Sequence, residues 1–192
     1  MKEIVTCSQM KALDNHTIKE MGIPSCVLME RAALKCVEEA EKIFGPQESV
    51  LVVCGCGNNG GDGIAIARML HLKGIRTHIF LAGKEESMTE ETALQWKIAR
   101  NYHIPRVNNP QWREYTTIVD AIFGAGLSRP VEGNMKNLIH CMNDSSAKKI
   151  SVDIPSGIDG NTGMEMGIAF RADLTVTCLL YTSDAADEGL GV

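Results

Sequence analysis

The segment that decides the fold is SVLVVCGCGNNGGDGIAIARML, residues 49–70. Its opening part, 49–55, is apolar, rich in β-branched residues and closed by glycine, which predicts a short, fully buried strand. Residues 61–73 predict a helix, and the turn between strand and helix fits the pattern GxGxxG. Glycines in such a turn let the backbone approach a pyrophosphate, whose charge the helix N-terminus stabilises. The segment therefore predicts a nucleotide-binding βα unit. It is not a Walker loop, because no Lys-Ser or Lys-Thr pair follows.

Outside this segment the chain alternates between helical and strand periodicity. Helices are predicted over residues 9–20, 24–44, 88–101 and 134–143. The first has Ser8 as its N-cap and Gly22 as its stop. Strands are predicted over residues 76–81, 104–107, 116–120, 149–153 and 173–177. This alternation implies right-handed crossovers and a parallel sheet covered on both faces. We therefore expect a three-layer α/β/α protein with a mostly parallel sheet and two extra N-terminal helices.

Composition indicates one ordinary globular domain. The 192 residues are 44% hydrophobic and 22% charged, with a net charge of −5. A modest acidic balance argues against a nucleic-acid partner or a membrane surface, because both are bound by clustered Lys and Arg. No apolar stretch approaches the roughly 20 residues that a membrane span needs.

The seven cysteines form no CxxC pair and no secretory signal precedes them. We interpret them as reduced, mostly buried thiols of a cytoplasmic protein rather than as a zinc site. A redox role for Cys54 and Cys56 is a weaker alternative, because redox-active pairs are commonly CxxC.

The end of the chain differs from the rest. Residues 172–177 read as an alternating strand, whereas residues 178–188, CLLYTSDAADE, have no structural sequel. This peptide resembles the translation of a sequencing-library adapter. We expect one domain over residues 1–177, incomplete at its C-terminus, and a non-native tail over residues 178–192. A genuine polar tail is the alternative.

Two further strands end in aspartate, in TTIVDAIFGAGLSRP (116–130) and KKISVDIPSGIDG (148–160). In an open parallel sheet, ligands bind outside the carboxyl ends of the strands, so Asp120 and Asp153 should line the same crevice as the glycine turn. An aspartate there is costly unless it is paired, hydrogen-bonded or bound to a cation. Each aspartate taken singly could instead cap a helix or a turn. Ser156 has no histidine nearby in the sequence, which favours a cation ligand over a triad nucleophile.

The glycine turn itself carries Asn58, Asn59 and Asp62. Amide oxygens and a carboxylate suit a cation or sugar hydroxyl groups better than a phosphate. The alternative is that these side chains only stabilise the turn and cap the helix. The strand over 76–81 lacks the acidic residue at its end that holds the ribose in NAD-dependent dehydrogenases, which argues against that class.

At these residues the chain resembles the NAD(P)H-hydrate epimerases, the YjeF N-terminal domain family, over residues 1–177. The matching segments are LMERA (28–32), VCGCGNNGGDGIAIARML (53–70), VDAIFGAGLSRPVEG (119–133), VDIPSGIDGNTG (152–163) and ADLTVT (172–177). The resemblance implies a Rossmann-like fold and an isomerase. Such an enzyme interconverts the R and S epimers of hydrated NADH or NADPH, so that a dehydratase specific for the S epimer can repair the cofactor.

The resemblance also implies roles for particular residues. The substrate would be bound by Asn58, Asn59, Gly60, Gly61, Asp62, Gly124, Ala125, Gly126, Leu127, Ser128, Arg129, Pro130 and Asp153. A potassium ion would be held by Asn59, Asp120 and Ser156. Asp153 is the candidate catalytic acid and base. The expected partners are the dehydratase, fused to some relatives, and a second copy of the chain in a homodimer. The rival interpretations are a non-catalytic nucleotide-binding or scaffolding module, an NAD-dependent dehydrogenase and a redox protein.

Overall fold

The computed structural model describes residues 6–177, and the tail predicted over residues 178–192 lies outside them. Its sheet has five strands, with the spatial order β2-β1-β3-β4-β5, and every pairing in it is parallel. The strands are β1 Ser49–Cys54, β2 Arg76–Leu81, β3 Thr117–Ala121, β4 Lys148–Val152 and β5 Leu174–Val176. The order reverses between β1 and β3, which is where doubly wound folds bind ligands.

Helices cover both faces of the sheet, as the alternating pattern predicted. They are α1 Cys7–Lys19, α2 Ser25–Glu41, α3 Asn58–Leu72, α4 Glu90–Asn101 and α5 Gly133–Asp144. Side chains of β1 alternate between two hydrophobic clusters. Val50 and Val52 pack with α2, α3 and α4, whereas Leu51 and Val53 pack with α5. All six residues of β1 are buried, which is why the strand reads as an unbroken apolar run.

The LMERA segment joins three helices through one carboxylate. Glu30 on α2 accepts a two-pronged hydrogen bond from Arg68 on α3, with both oxygens 2.5 Å from Nη2. The same carboxylate accepts a hydrogen bond of 2.9 Å from the buried Gln95 of α4. Charge-assisted hydrogen bonds of this kind are stronger than those between neutral groups. The segment therefore positions α3, whose first turn carries the asparagines of the glycine turn.

Several predicted boundaries were wrong. Helix α3 begins at Asn58, three residues earlier than predicted. Gly57 is its N-cap and has an extended backbone, so the helix starts at the next residue. Helix α1 is capped by Thr6, not Ser8: its hydroxyl accepts from the Gln9 amide at 3.2 Å within a capping box. Residues 104–107 form a single bridge to β2, at Arg106, and not a strand.

Two other sequence-based expectations concern the cysteines and membrane-spanning segments. Of the six described cysteines, only Cys36 and Cys54 are buried, so the expectation of mostly buried thiols was wrong. Within residues 6–177, the helices are too short or too polar to cross a membrane.

The turn between β1 and α3 is closely packed. Gly60 lies so close to Gly55 that a Cβ atom on it would overlap the Gly55 carbonyl oxygen. A Cβ on Gly63 would approach the Cβ of Ala121 on β3 to 2.5 Å. Glycine therefore brings α3 against the ends of β1 and β3, where any side chain would hold it away.

We predict that Gly60→Ala lowers the free energy of unfolding by about 3 kcal/mol, the upper end of the usual cost of overpacking, because its neighbour is backbone and cannot move aside. Gly57→Ala is the matched control, because a Cβ there meets nothing within 4 Å and the backbone is extended. Urea unfolding of both variants measures the difference. Equal stabilities would contradict the packing argument.

Candidate active site

Asp120 anchors the site at the carboxyl end of β3. Its side chain is completely buried and accepts hydrogen bonds from both the backbone amide of Ser156 (2.7 Å) and its hydroxyl group (2.6 Å). The Ile122 amide and the Ser151 hydroxyl group donate to it at 3.2 and 3.3 Å. Burial raises the pKa of Asp120 to about 6, although these hydrogen bonds act in the opposite direction. The carboxylate thus ties the loop after β4 to the end of β3.

The carbonyl oxygen of Phe123 connects Asp120 to the glycine turn. It accepts a hydrogen bond of 2.9 Å from the Asn59 side-chain amide and lies 3.3 Å from the Ser156 hydroxyl oxygen. The Phe123 amide donates to the same hydroxyl oxygen at 2.9 Å. Asn59 and Ser156 therefore meet at one backbone carbonyl, and Ser156 links this point to Asp120, so that three separate segments are joined. This is the convergence that the sequence predicted for the three strand ends.

Asn59 carries a buried oxygen without a partner. Its Oδ1 atom is shielded from solvent and has no hydrogen bond within the described residues. A buried acceptor of this kind is costly unless a donor or a cation satisfies it. A Cβ atom on Gly124 would lie 3.3 Å from this oxygen and 2.6 Å from Oδ2 of Asp153. Glycine at position 124 thus leaves open a space that both polar side chains border.

Asp153 occupies the position immediately after β4. Its φ angle of 68° lies in the left-handed region, which aspartate tolerates better than most residues. The Ala125 amide donates to Oδ2 at 3.0 Å. Burial raises the pKa of Asp153, and repulsion from Asp14 adds to this effect. The carboxyl group is therefore held in place by one backbone donor and is prone to take up a proton.

Asp62 lies on the second turn of α3 and is half-buried. Burial raises its pKa well above the usual value, and repulsion from Asp153 and Asp14 raises it further. Within residues 6–177 its carboxylate has no hydrogen bond or ion pair. It does not cap α3, whose N-cap is Gly57. The alternative that the polar residues of the turn merely stabilise it thus fails for Asp62.

The other predicted binding residues fall into two groups. Asn58 is exposed and its side-chain oxygen accepts from Thr89, the N-cap of α4, whereas Gly60 and Gly61 are buried in α3. In the loop after β3, Ala125 and Leu127 are half-buried beside Gly124. Exposed positions at the outer part of this loop are Gly126, Ser128, Arg129 and Pro130. The loop therefore borders the site at its inner end and extends from it into solvent.

Sequence reasoning missed three participants. The Phe123 carbonyl is a backbone group, so its side chain gave no signal. Ser151 was read only as part of a strand, although a hydroxyl side chain within an apolar run is itself a signal. Asp14 lies on α1, before the first strand, where no pattern relates a helix to the end of the sheet.

These observations define a doubly wound α/β protein with a polar ligand site at the switch point of its sheet. The model of the family described as YjeF-related protein N-terminus matches residues 25–183, and the chain belongs to this family.

Two relatives, both named NAD(P)H-hydrate epimerase, resemble the chain over nearly its whole length. The protein of Oenococcus oeni is 46% identical, over 90% of this chain and 83% of the relative. The protein of Weissella koreensis is 42% identical, over 100% and 87% respectively. The crystal structure of the yeast protein ynu0 superposes with a TM-score of 0.81 at 25% identity, covering 92% of this chain and 80% of that one.

We predict that ionisation of Asp120 destabilises the protein. Because folding raises its pKa from 3.8 to about 6, the contribution of Asp120 to the free energy of unfolding is greatest at low pH. This contribution is lost as the pH rises through about 6. Two pKa units correspond to about 3 kcal/mol. The measurement is urea unfolding of the wild type and Asp120→Asn between about pH 4 and 7, in a choline buffer whose cation is too large to approach the buried carboxylate.

The difference in unfolding free energy between wild type and Asp120→Asn should change between about pH 4 and 6 and level off above that, because both the folded and the unfolded state are then ionised. Glu86→Gln is the control, since this carboxylate is exposed and has no ion pair within residues 6–177. A difference that is constant with pH for Asp120→Asn would show that burial does not hold the proton on this group.

Proposed function

We propose that this chain is an NAD(P)H-hydrate epimerase, an isomerase that interconverts the R and S epimers of hydrated NADH or NADPH. The observation that carries the proposal is a half-buried carboxyl group at a strand end, Asp153, beside the solvent-shielded and unpartnered Oδ1 of Asn59 at the switch point. The name and the similarity of the relatives support the same activity, because the chain spans more than four fifths of their length.

Two segments would bind the nucleotide, and they adjoin each other where Asn59 contacts the Phe123 carbonyl and Gly124. We assign one to Asn58–Asp62 on the first turns of α3 and the other to Gly124–Pro130 in the loop after β3. The Ala125 amide is already occupied by Asp153, so it orients the carboxyl group. Arg129 is exposed and without an ion-pair partner in the described part of the chain, which suits a phosphate at the outer end of the loop.

Potassium is the cofactor we propose, held by Asn59, Asp120 and Ser156. The donor set fits a hard cation, because it consists of a carboxylate, an amide oxygen and a hydroxyl oxygen, and the Phe123 carbonyl adjoins them. The unsatisfied Oδ1 of Asn59 and the raised pKa of Asp120 both indicate that this cluster lacks positive charge. A bound cation would supply that charge and fix the loop that carries Asp153.

The chemistry requires a group that can both give and take a proton. In the hydrated cofactor, carbon C6 of the ring carries a hydroxyl group and is bonded to the ring nitrogen. Inversion breaks one bond at C6 and re-forms it from the other face, and the hydroxyl oxygen loses or gains a proton in the process. Asp153 can exchange this proton because its raised pKa brings it closer to neutral pH.

We predict that Asp153→Asn lowers kcat/KM for epimerisation at least about 100-fold, the usual contribution of a general acid or base. Nucleotide affinity should change little, because Asn preserves the shape of the side chain. Asp173→Asn, at an exposed residue just before β5, is the control.

Three outcomes separate the possibilities for Asp153→Asn. Wild-type turnover would remove this carboxylate from the mechanism. Loss of affinity together with turnover would make it a binding residue. A wild-type protein that binds hydrated NADH without converting it would instead support the non-catalytic nucleotide-binding module.

We predict that potassium chloride raises the epimerisation rate several-fold over choline chloride at equal ionic strength. Asn59→Ala should abolish this potassium response, because it removes the buried oxygen. Asn58→Ala removes an equivalent amide in the same turn and should keep the response. A response that persists in Asn59→Ala would place the cation elsewhere.

Three further parts of the proposal concern the surroundings of the enzyme. We propose a cytoplasmic location, which the free thiols of Cys7, Cys26, Cys54, Cys56 and Cys141 support, since such cysteines suit a reducing compartment. A dehydratase that consumes the S epimer is the proposed functional partner. A homodimer is the proposed assembly, and analytical ultracentrifugation tests it directly.

A further inference from the structure

The start of α4 is bonded to the glycine turn at three consecutive residues. The Thr89 amide donates to the Cys56 carbonyl oxygen at 3.0 Å, and the Thr92 hydroxyl group donates to the Gly57 carbonyl oxygen at 2.8 Å. The Thr89 hydroxyl group donates to Oδ1 of Asn58 at 2.7 Å. The first two bonds reach backbone carbonyl groups and fix the path of the turn. The third bond differs, because it reaches a side chain that the proposed function assigns to the nucleotide.

Thr89 is the N-cap of α4, but its hydroxyl group is closer to Asn58 than to any partner in the helix. The Thr92 amide donates to the Thr89 hydroxyl oxygen at 3.4 Å, which is longer than the usual distance of about 2.7–3.2 Å. A hydroxyl group has one proton, and Oγ1 of Thr92 at 2.9 Å competes with Oδ1 of Asn58 at 2.7 Å for that of Thr89. The capping of α4 therefore does not account for the position of this hydroxyl group.

The bond from Thr89 determines which end of the Asn58 amide is available. A side-chain amide is planar, with an oxygen that only accepts hydrogen bonds and a nitrogen that only donates them. When the Thr89 hydroxyl group holds Oδ1, the direction of Nδ2 is fixed as well. Asn58 is exposed, and its Nδ2 has no hydrogen bond within residues 6–177. Asn58 thus presents a hydrogen-bond donor, and not an acceptor, to a ligand.

The location of Asn58 indicates which ligand group this donor suits. Asn58 is the first residue of α3. The partial positive charge at a helix N-terminus favours an anionic oxygen nearby, and the dinucleotide of the proposed function has such oxygens in its phosphate groups. A donor amide at this position can bond to a phosphate oxygen. An amide turned the other way would place its own oxygen against that phosphate and repel it.

We propose that Thr89 is a positioning residue of the nucleotide site, which holds the Asn58 amide by its oxygen so that the NH2 group donates to a phosphate oxygen of the hydrated dinucleotide. Thr89 acts through Asn58 and makes no contact of its own with the nucleotide. This inference rests on the proposed function and adds to it the connection between β2 and α4, which supplies no other residue to the site.

The first test is a double-mutant cycle of Thr89 and Asn58 in the full chain, with NADH as a probe that binds without turnover. Thr89→Val should weaken NADH binding by about two- to tenfold, the usual worth of one hydrogen bond. In an Asn58→Ala background the same substitution should have no effect, because no amide remains for Thr89 to hold. Loss of the α4 cap occurs in both backgrounds, so it cancels from the comparison. Isothermal titration calorimetry measures the four dissociation constants.

Matched variants separate the hydrogen bond from the rest of the side chain. Thr89→Ser keeps the hydroxyl group and should keep the wild-type affinity for NADH. Asn58→Asp keeps an oxygen that accepts from Thr89 but replaces the NH2 group with a second oxygen, so its affinity should fall at least as far as that of Asn58→Ala. Ser87→Ala removes an exposed hydroxyl group from the same connection and should leave the affinity unchanged.

Steady-state kinetics with the hydrated substrate provide a second measurement. Thr89→Val should raise KM by the same factor as it weakens NADH binding, while kcat stays near its wild-type value. A bond to a phosphate group is unaffected by the reaction at C6, so its loss weakens the ground state and the transition state equally. A general disturbance of the fold would instead lower kcat, and thermal unfolding checks that each variant is folded.

The outcomes are distinct. The expected pattern of NADH affinities, in a protein that does not epimerise, supports the inference and removes the proposed activity. An unchanged affinity in Thr89→Val, or an equal loss with and without the Asn58 amide, overturns the inference, because Thr89 would then contribute only to α4. Wild-type affinity in Asn58→Asp also overturns it, because the nucleotide would then need no donor at this position.

Discussion

The site depends on a buried carboxylate, Asp120, bonded through both of its oxygens to Ser156. An ionised group without contact with water is among the costliest components of a protein interior, and here four hydrogen bonds only partly offset the cost. The bonds determine where the loop after β4 lies, and this loop carries Asp153. The same loop, through Ser156, contacts the Phe123 backbone, which in turn orients Asn59. A single desolvated charge thus sets the relative positions of three segments that are far apart in sequence.

Close backbone contact is the second constraint. Helix α3 approaches β1 and β3 closely only because Gly60 and Gly63 have no Cβ atom that would overlap the backbone or side chains at the ends of these strands. On its other side α3 is held by Arg68 and Glu30, and Asn58 is held by Thr89. The amide of Asn59 therefore reaches the Phe123 carbonyl without a flexible connection. Affinity for a ligand at this point needs little further ordering of the protein.

Much of this could be predicted from the sequence, for a definite reason. Strand ends in a parallel sheet share one edge, so Asp120, Asp153 and the glycine turn had to lie near each other once the strands were recognised. The start of α3 could not be predicted in this way, because glycine and asparagine are poor helix formers. The helix nevertheless begins directly after its extended N-cap, Gly57. The contacts of the Phe123 carbonyl could not be predicted, because every residue type has the same backbone carbonyl group. Asp14 was missed because the sequence of a helix that precedes the sheet does not indicate which edge of the sheet the helix covers.

Helix α1 has a consequence for the stability of the molecule's parts. Because no side chain of α1 is buried, its detachment exposes little apolar surface and breaks few hydrogen bonds with the body. Its amide protons should exchange with solvent far sooner than those of the central strands, whose opening requires global unfolding. Detachment of α1 would therefore leave the central sheet and its two buried clusters in place.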